Sequence, residues 1–72
     1  MNKDFYLKLG KNIKNRRVEL KLTQQQLADK LDISLNFMGK IEVAFSKPSL
    51  DTLIKISEAL ETSVSDLTNF TK

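Results

Sequence analysis

Apolar side chains near the start of the chain recur every three or four residues, as on one face of a helix. This face carries Phe5, Leu9, Ile13 and Leu20, with Arg17 as its charged member. The alternation typical of half-buried strands is absent from the chain. The pattern predicts a first helix over about residues 4–21. Because an unpaired charge at an inward position is costly, Arg17 there needs a partner.

Two capping signals predict the next two helices. Thr23 with Gln26 three residues later forms a capping box, which predicts a second helix over about 24–31. Ser34 caps a third helix over about 35–42. The predicted core positions of the pair are Leu27, Ala28, Leu31, Met38 and Ile41. A connection of about three residues forces a sharp turn, which is the geometry of a helix-turn-helix.

Serine caps also predict two helices in the rest of the chain. After a loop over 43–47 and Pro48, Ser49 caps a fourth helix, whose predicted core residues are Leu50, Leu53, Ile54 and Leu60. Ser63 caps a short fifth helix that is expected to reach about Phe70. We therefore predict one all-α domain over 1–72, a compact five-helix bundle with its core at about 5–70.

The residue types that are missing exclude several functions. The chain of 72 residues has no Cys and no His, so it offers no disulfide, no zinc ligands of these types, and no triad with a catalytic histidine. The two glycines stand apart, so no phosphate-cradling loop exists. The sequence predicts neither an enzyme nor a bound metal, cofactor or small-molecule ligand. Lacking a signal peptide and a membrane span, the protein is expected to be soluble and cytoplasmic.

Charge is distributed unevenly along the chain. Residues 1–40 hold nine basic and four acidic residues, a net charge of +5, whereas residues 41–72 carry −2. This asymmetry fits a face that meets a polyanion such as DNA, and it also fits an ordinary solvated basic helix.

Four short strings provide the most specific signal. They are LTQQQLADKL at 22–31, IS at 33–34, KIE at 40–42 and PSLDTL at 48–53. Together they resemble the phage-repressor and Cro-like (XRE) family of helix-turn-helix proteins, over about residues 9–67. The resemblance implies a five-helix repressor-like fold and a sequence-specific DNA-binding regulator of transcription.

The resemblance also implies that the third helix lies in the major groove, with its first residues against the bases. Asn36 is the best candidate for base reading, since its amide matches adenine, although a solvated surface amide is the alternative. Leu35 and Phe37 would contact a thymine methyl group, or Phe37 would pack on the second helix. The full predicted DNA-binding set is Thr23, Gln24, Gln25, Ser34, Leu35, Asn36, Phe37, Gly39, Lys40, Ser46 and Lys47.

Other roles within that set also come from the resemblance. Gln24 matches a residue that clamps the DNA backbone and braces the recognition helix. Gln25 either contacts the DNA backbone as well or is an exposed residue without a role. Lys40 and Lys47 are expected to meet phosphates, together with backbone N–H groups of the loop at 45–47. The family pairs an arginine at the position of Arg17 with a glutamate at that of Glu42, so we predict this ion pair.

The chain departs from the family pattern at three positions where many relatives have glycine. It has Lys21, Asp32 and Ala44 there. Asp tolerates a positive φ better than most residues, so the turn at Asp32 survives. At Ala44, either the loop takes another conformation or the third helix extends. Phe45, where polar or basic residues are common, either packs on the core or meets a second subunit.

We expect the domain to act alone, and one recognition helix reads few base pairs. We therefore expect a homodimer on a pseudo-palindromic stretch of double-stranded DNA. The predicted dimer interface, centred on the fifth helix, consists of Phe45, Leu60, Val64, Leu67 and Phe70. The alternative is a helix-turn-helix interaction module or antitoxin whose main partner is another protein. An exposed Asn36 flanked by Lys40 and Lys47 would favour DNA.

Overall fold

A computed structural model describes residues 2–70 of the chain, with side chains over 3–70. This part of the chain forms five α-helices and no strand: α1 (Asn2–Glu19), α2 (Gln24–Leu31), α3 (Leu35–Glu42), α4 (Leu50–Ala59) and α5 (Val64–Leu67). The predicted all-α, five-helix fold is confirmed. In this range no helix is long and apolar enough to cross a membrane.

Helices α2 and α3 begin and end where the capping pattern predicts. The Thr23 hydroxyl accepts a hydrogen bond from the Gln26 N–H, and the Gln26 side chain accepts one from the Thr23 N–H, so the capping box is complete. The Ser34 hydroxyl likewise accepts from the Phe37 N–H at the start of α3. Other boundaries were predicted less well: α1 both begins and ends two residues before the predicted range of about 4–21, and α5 stops at Leu67 instead of about Phe70.

Four helices end in the same way, with a residue in the left-handed backbone region. These residues are Lys21 (φ 61°), Asp32 (φ 56°), Ala44 (φ 64°) and Glu61 (φ 55°). At each, the N–H of the left-handed residue and that of the residue after it donate to carbonyls of the last turn, as when Ala44 and Phe45 donate to the Ile41 and Lys40 carbonyls. Ala44 therefore keeps the conformation that glycine would favour, and α3 neither extends nor leaves the expected path.

The core is built from one apolar face of every helix. It consists of Leu9, Ile13, Leu27, Ala28, Leu31, Met38, Ile41, Leu53, Ile56, Leu60 and Leu67. Two predicted core positions are wrong, because Leu50 and Ile54 are 68% and 40% exposed. Phe5, which the apolar pattern placed on one face with Leu9 and Ile13, is 39% exposed. Leu50 lies at the open first turn of α4, and the face of α4 that is buried instead includes Ile56 and Ser57.

This core also corrects the predicted dimer interface. Leu60 and Leu67 are 0% and 3% exposed, because they fill the interior of the monomer and are closed to a second subunit. Val64 and Phe70 are half-buried against the core, whereas Phe45 is exposed.

Polar side chains of α1 hold the C-terminal helices in place. Arg16 donates from Nε to the Leu60 carbonyl (2.8 Å) and from Nη2 to the Glu61 carbonyl (3.1 Å). Asn12 donates to the Leu67 carbonyl at 2.8 Å. These carbonyls lie at helix ends, where a cation and donors are favourable. Another side of α1 packs against α3.

Candidate nucleic-acid interface

Helices α2 and α3 form a tight corner. Ala28 is fully buried, and its carbonyl accepts a hydrogen bond from the N–H of Ile33 in the turn at 3.0 Å. The Ile33 side chain is half-buried and packs against the core. A small residue in α2 and an apolar residue in the turn thus let the short connection close, giving the helix-turn-helix geometry.

A buried polar network fixes the C-terminal end of α3. Arg17 meets Glu42 in a two-point ion pair, with Nε to Oε2 at 2.7 Å and Nη2 to Oε1 at 3.1 Å. Arg17 also donates to the Leu22 carbonyl at 2.8 Å, and Gln24 donates to Glu42 Oε1 at 3.0 Å. The predicted pair is therefore present, and it joins α1, α2 and α3. No buried side-chain polar atom in residues 3–70 lacks a partner.

The same end of α3 lies directly against α1. A Cβ atom built on Gly10 would lie 2.4 Å from the Glu42 carbonyl oxygen and 2.8 Å from that of Ile41. Both are backbone atoms, so no side chain could rotate away. Gly10 is thus required by the close approach of α1 to α3.

The N-terminal end of α3 is open to solvent. The Asn36 side chain is exposed and makes no hydrogen bond within residues 3–70, while Leu35 is 45% exposed. Phe37 is half-buried and packs against the core, which matches the packing alternative for this residue. At this end of α3, the exposed side chains that make no capping hydrogen bond are therefore those of Leu35 and Asn36.

The remaining predicted contact residues of α2, and the residues that cap α2 and α3, have partners within the domain. Thr23 and Ser34 use their hydroxyl groups to cap α2 and α3, and both residues remain exposed. Gln25 is exposed and bonds to Asp29 at 2.9 Å on the helix surface. Gln24 lies beside Gly39, at 3.9 Å from the position of a Cβ atom there. Gln24 thus braces α3, as the family pattern implied.

Each predicted phosphate-contacting lysine lies over an aromatic ring. The Lys40 ammonium is 5.3 Å from the centroid of Phe45, and that of Lys47 is 5.3 Å from the centroid of Tyr6. The expectation that the N–H groups of Phe45 and Ser46 face phosphate is wrong, because both donate to the Lys40 carbonyl, at 2.8 and 3.1 Å.

A shallow depression connects the open face of α3 with the loop that follows it. Its lining includes Gln24, Leu35, Asn36, Lys40, Val43 and Phe45, and no acidic side chain of the described residues contributes. Within residues 3–70, no carboxylate lies within ion-pair distance of Lys40. The face is therefore weakly basic, with an apolar rim.

Sequence reasoning missed Gly10, Asn12 and Arg16. Arg16 and Asn12 fall on the polar side of α1, where the pattern gave only a solvated basic face. The isolated glycine within an otherwise helical pattern was the one available signal, since such a residue often marks a close approach of two backbones.

Comparison with known proteins identifies the family. Residues 13–67 match the family model described as Helix-turn-helix (HTH_3), and this chain belongs to that phage-repressor-like (XRE) family. It is 36% identical over 61 residues to the cryptic phage CTXphi transcriptional repressor RstR of Vibrio cholerae, covering 85% of this chain and 54% of RstR. It is 44% identical over 57 residues to the immunity repressor of Bacillus phage phi105, covering 79% and 40% of the two chains. This chain thus spans about half the length, or less, of these relatives.

Solved structures share the fold. The biofilm master regulator SinR in complex with DNA matches with a TM-score of 0.79 and 31% identity, covering 85% of this chain and 98% of SinR. The fold also occurs within an enzyme, hydroxypropylphosphonic acid epoxidase from S. wedmorenis, with a TM-score of 0.84 and 25% identity. That match covers 93% of this chain and 36% of the epoxidase.

Proposed function

We propose that this chain is a sequence-specific DNA-binding regulator of transcription that places α3 in the major groove of double-stranded DNA. The observation that carries the proposal is the exposed and unpaired Asn36, at the open end of a helix whose other end is fixed by Arg17 and Glu42. An Asn amide can bond to both N6 and N7 of adenine, and a fixed helix holds the amide in one register.

The charge of this face and the similarity to known repressors both support DNA as the ligand. The face around Asn36 carries Lys40 and no acidic side chain of the described residues, so phosphates would meet no repulsion there. RstR and the phage phi105 protein are both named as repressors, and the solved structure of SinR is a complex with DNA. The epoxidase shares only a domain-sized part with this chain, and we propose a binding role here and not catalysis.

We further propose that the chain binds as a homodimer. One recognition helix contacts few base pairs, so two copies on an inverted repeat would supply the missing affinity. With Leu60 and Leu67 excluded by burial, the apolar side chains left near α5 are Val64, Phe70 and Phe5. The rings of Phe5 and Phe70 lie 5.3 Å apart, edge to face, and Phe5 is partly exposed. These three side chains are the proposed centre of the interface.

Selection of sequences from a random duplex library, at about physiological salt, tests the proposed function. We expect enrichment of an inverted repeat, with half-sites about one helical turn apart. Sedimentation of the enriched complex should give two copies of the chain for each duplex. Enrichment of a single half-site with one bound copy would overturn the dimer, and weak binding without any enrichment would overturn sequence-specific recognition.

A second candidate function is an interaction module or antitoxin that binds another protein. It is favoured by one observation: Leu35, Val43 and Phe45 are 45%, 67% and 76% exposed, an unusual amount of apolar surface beside a recognition helix. Failure of the selection to enrich any sequence would favour this candidate.

A further inference from the structure

We infer that Phe45 is a positioning residue for DNA binding, which holds the ammonium group of Lys40 toward the phosphate backbone. The inference rests on the proposed function, because it names how one lysine of the recognition helix is presented to DNA.

The backbone brings Phe45 back over α3. Ala44 adopts a left-handed conformation, and the N–H of Phe45 then bonds to the Lys40 carbonyl at 2.8 Å. In this type of helix ending, the residue after the left-handed one often makes an apolar contact with the residue five positions earlier. Here that contact joins an aromatic ring and an ammonium group, whose nitrogen is 5.3 Å from the ring centroid. This distance is within the range of a cation–π interaction.

The ring of Phe45 has no evident role in the core. It is 76% exposed and is absent from the apolar cluster that stabilises the fold. By contrast, Tyr6, which lies under Lys47 in a similar way, also packs against the core. A variant of Phe45 therefore tests the ring's effect on its lysine with little effect on folding.

The ammonium group held by Phe45 lies on the proposed DNA-binding face. Lys40 follows Asn36 by four residues on α3, so both side chains project from one side of the helix, and both line the same shallow depression as Phe45. Since no carboxylate of residues 3–70 pairs with Lys40, its charge remains free to bind a phosphate. Restricting the ammonium to this face in advance reduces the ordering that binding requires.

The test is a double-mutant cycle on the enriched duplex, using the intact chain. Phe45→Leu keeps apolar bulk and removes the aromatic face, and we expect it to weaken binding about two- to fivefold when Lys40 is present. In the Lys40→Met background the same change should cost nothing further. Lys40→Met alone should make the negative slope of log K against log salt less steep by about 0.9. Phe45→Trp should restore the affinity that Phe45→Leu loses, since tryptophan is the best cation–π partner.

Lys55→Met serves as the control. Lys55 is an exposed lysine of α4 that lines a different depression, between the ends of α2 and α4, and it belongs neither to the proposed DNA-binding face nor to the proposed dimer interface. It should leave the salt slope unchanged.

An equal loss from Phe45→Leu with and without Lys40 would overturn the inference, and would assign the ring to another contact such as the dimer. An unchanged affinity would overturn it as well. Both results leave the proposed function intact, because that function fails only if the wild-type chain selects no sequence.

Discussion

The two ends of α3 differ in almost every physical respect. At the C-terminal end, Glu42 is 6% exposed and bonded to side chains of α1 and α2, and the backbone touches Gly10. At the N-terminal end, Asn36 is exposed and unpaired within the described residues. A helix held at one end and open at the other can present a polar side chain in a fixed position. The difference suggests that stability and recognition can be changed separately.

Breaking the buried ion pair should have the largest effect. Arg17→Met leaves Glu42 buried beside the single neutral donor of Gln24, and removal of one partner from such a pair typically costs about 3–5 kcal/mol. A domain of this size has only about 5–10 kcal/mol of total stability, so the variant should be barely folded. Urea denaturation followed by circular dichroism measures the loss.

The exposed pair of Arg16 and Glu19 offers a matched control. Glu19→Gln should change the free energy of unfolding by less than about 1 kcal/mol, because Glu19 is in solvent and its pair is screened. The double variant Arg17→Met with Glu42→Met should recover much of the lost stability, since no buried charge remains. A loss below about 1 kcal/mol for Arg17→Met alone would show that the pair does not hold α3.

The two glycines should respond to alanine in opposite directions. Gly10→Ala places a methyl group against the Glu42 carbonyl and should cost about 1–3 kcal/mol, as overpacking does. At Gly39 the nearest atoms are 3.9 Å from the added carbon, so Gly39→Ala should stabilise the helix by about 0.5–1 kcal/mol. Thermal unfolding of both variants decides the matter. Equal shifts would refute the close approach of α1 to α3.

A smaller gain is expected at the turn after α3. Ala44 has a φ of 64°, where an L-residue is strained, so Ala44→Gly should raise the free energy of unfolding by about 1 kcal/mol. For a domain of this size, that is a rise of about 4–8 °C in melting temperature. Asp32→Gly should gain less, because aspartate tolerates this region better. A destabilised Ala44→Gly variant would show that the turn is not in the left-handed conformation.

Local signals explain which parts of the fold could be predicted. The capping residues Thr23 and Ser34 fixed the starts of α2 and α3, since a cap is a local bond between near neighbours. Burial along α4 depends on the direction in which other helices approach, so Leu50 and Ile54 were misassigned. The roles of Arg16 and Gly10 depend on contacts that are distant in sequence, and periodicity carries no information about them.

The candidate site also contains some residues that could be predicted from the sequence and others that could not. Asn36 and the pair of Arg17 with Glu42 came from a family resemblance, and the pair is found where it was expected. Leu60 and Leu67 were predicted at the dimer interface because they are apolar residues in the C-terminal part of the chain. An apolar residue at helical spacing fits a core and an interface equally well, and only the packing distinguishes them.

We propose that Asn36 reads a base from the open end of a fixed helix. The most direct test is competition binding of the wild type and Asn36→Ala against the enriched duplex, with each base pair of a half-site replaced in turn. We expect the wild type to lose about 1–3 kcal/mol on replacement of one particular base pair, and Asn36→Ala to lose discrimination at that position only. Unaltered discrimination at every position, or a uniform loss on all duplexes, would contradict it.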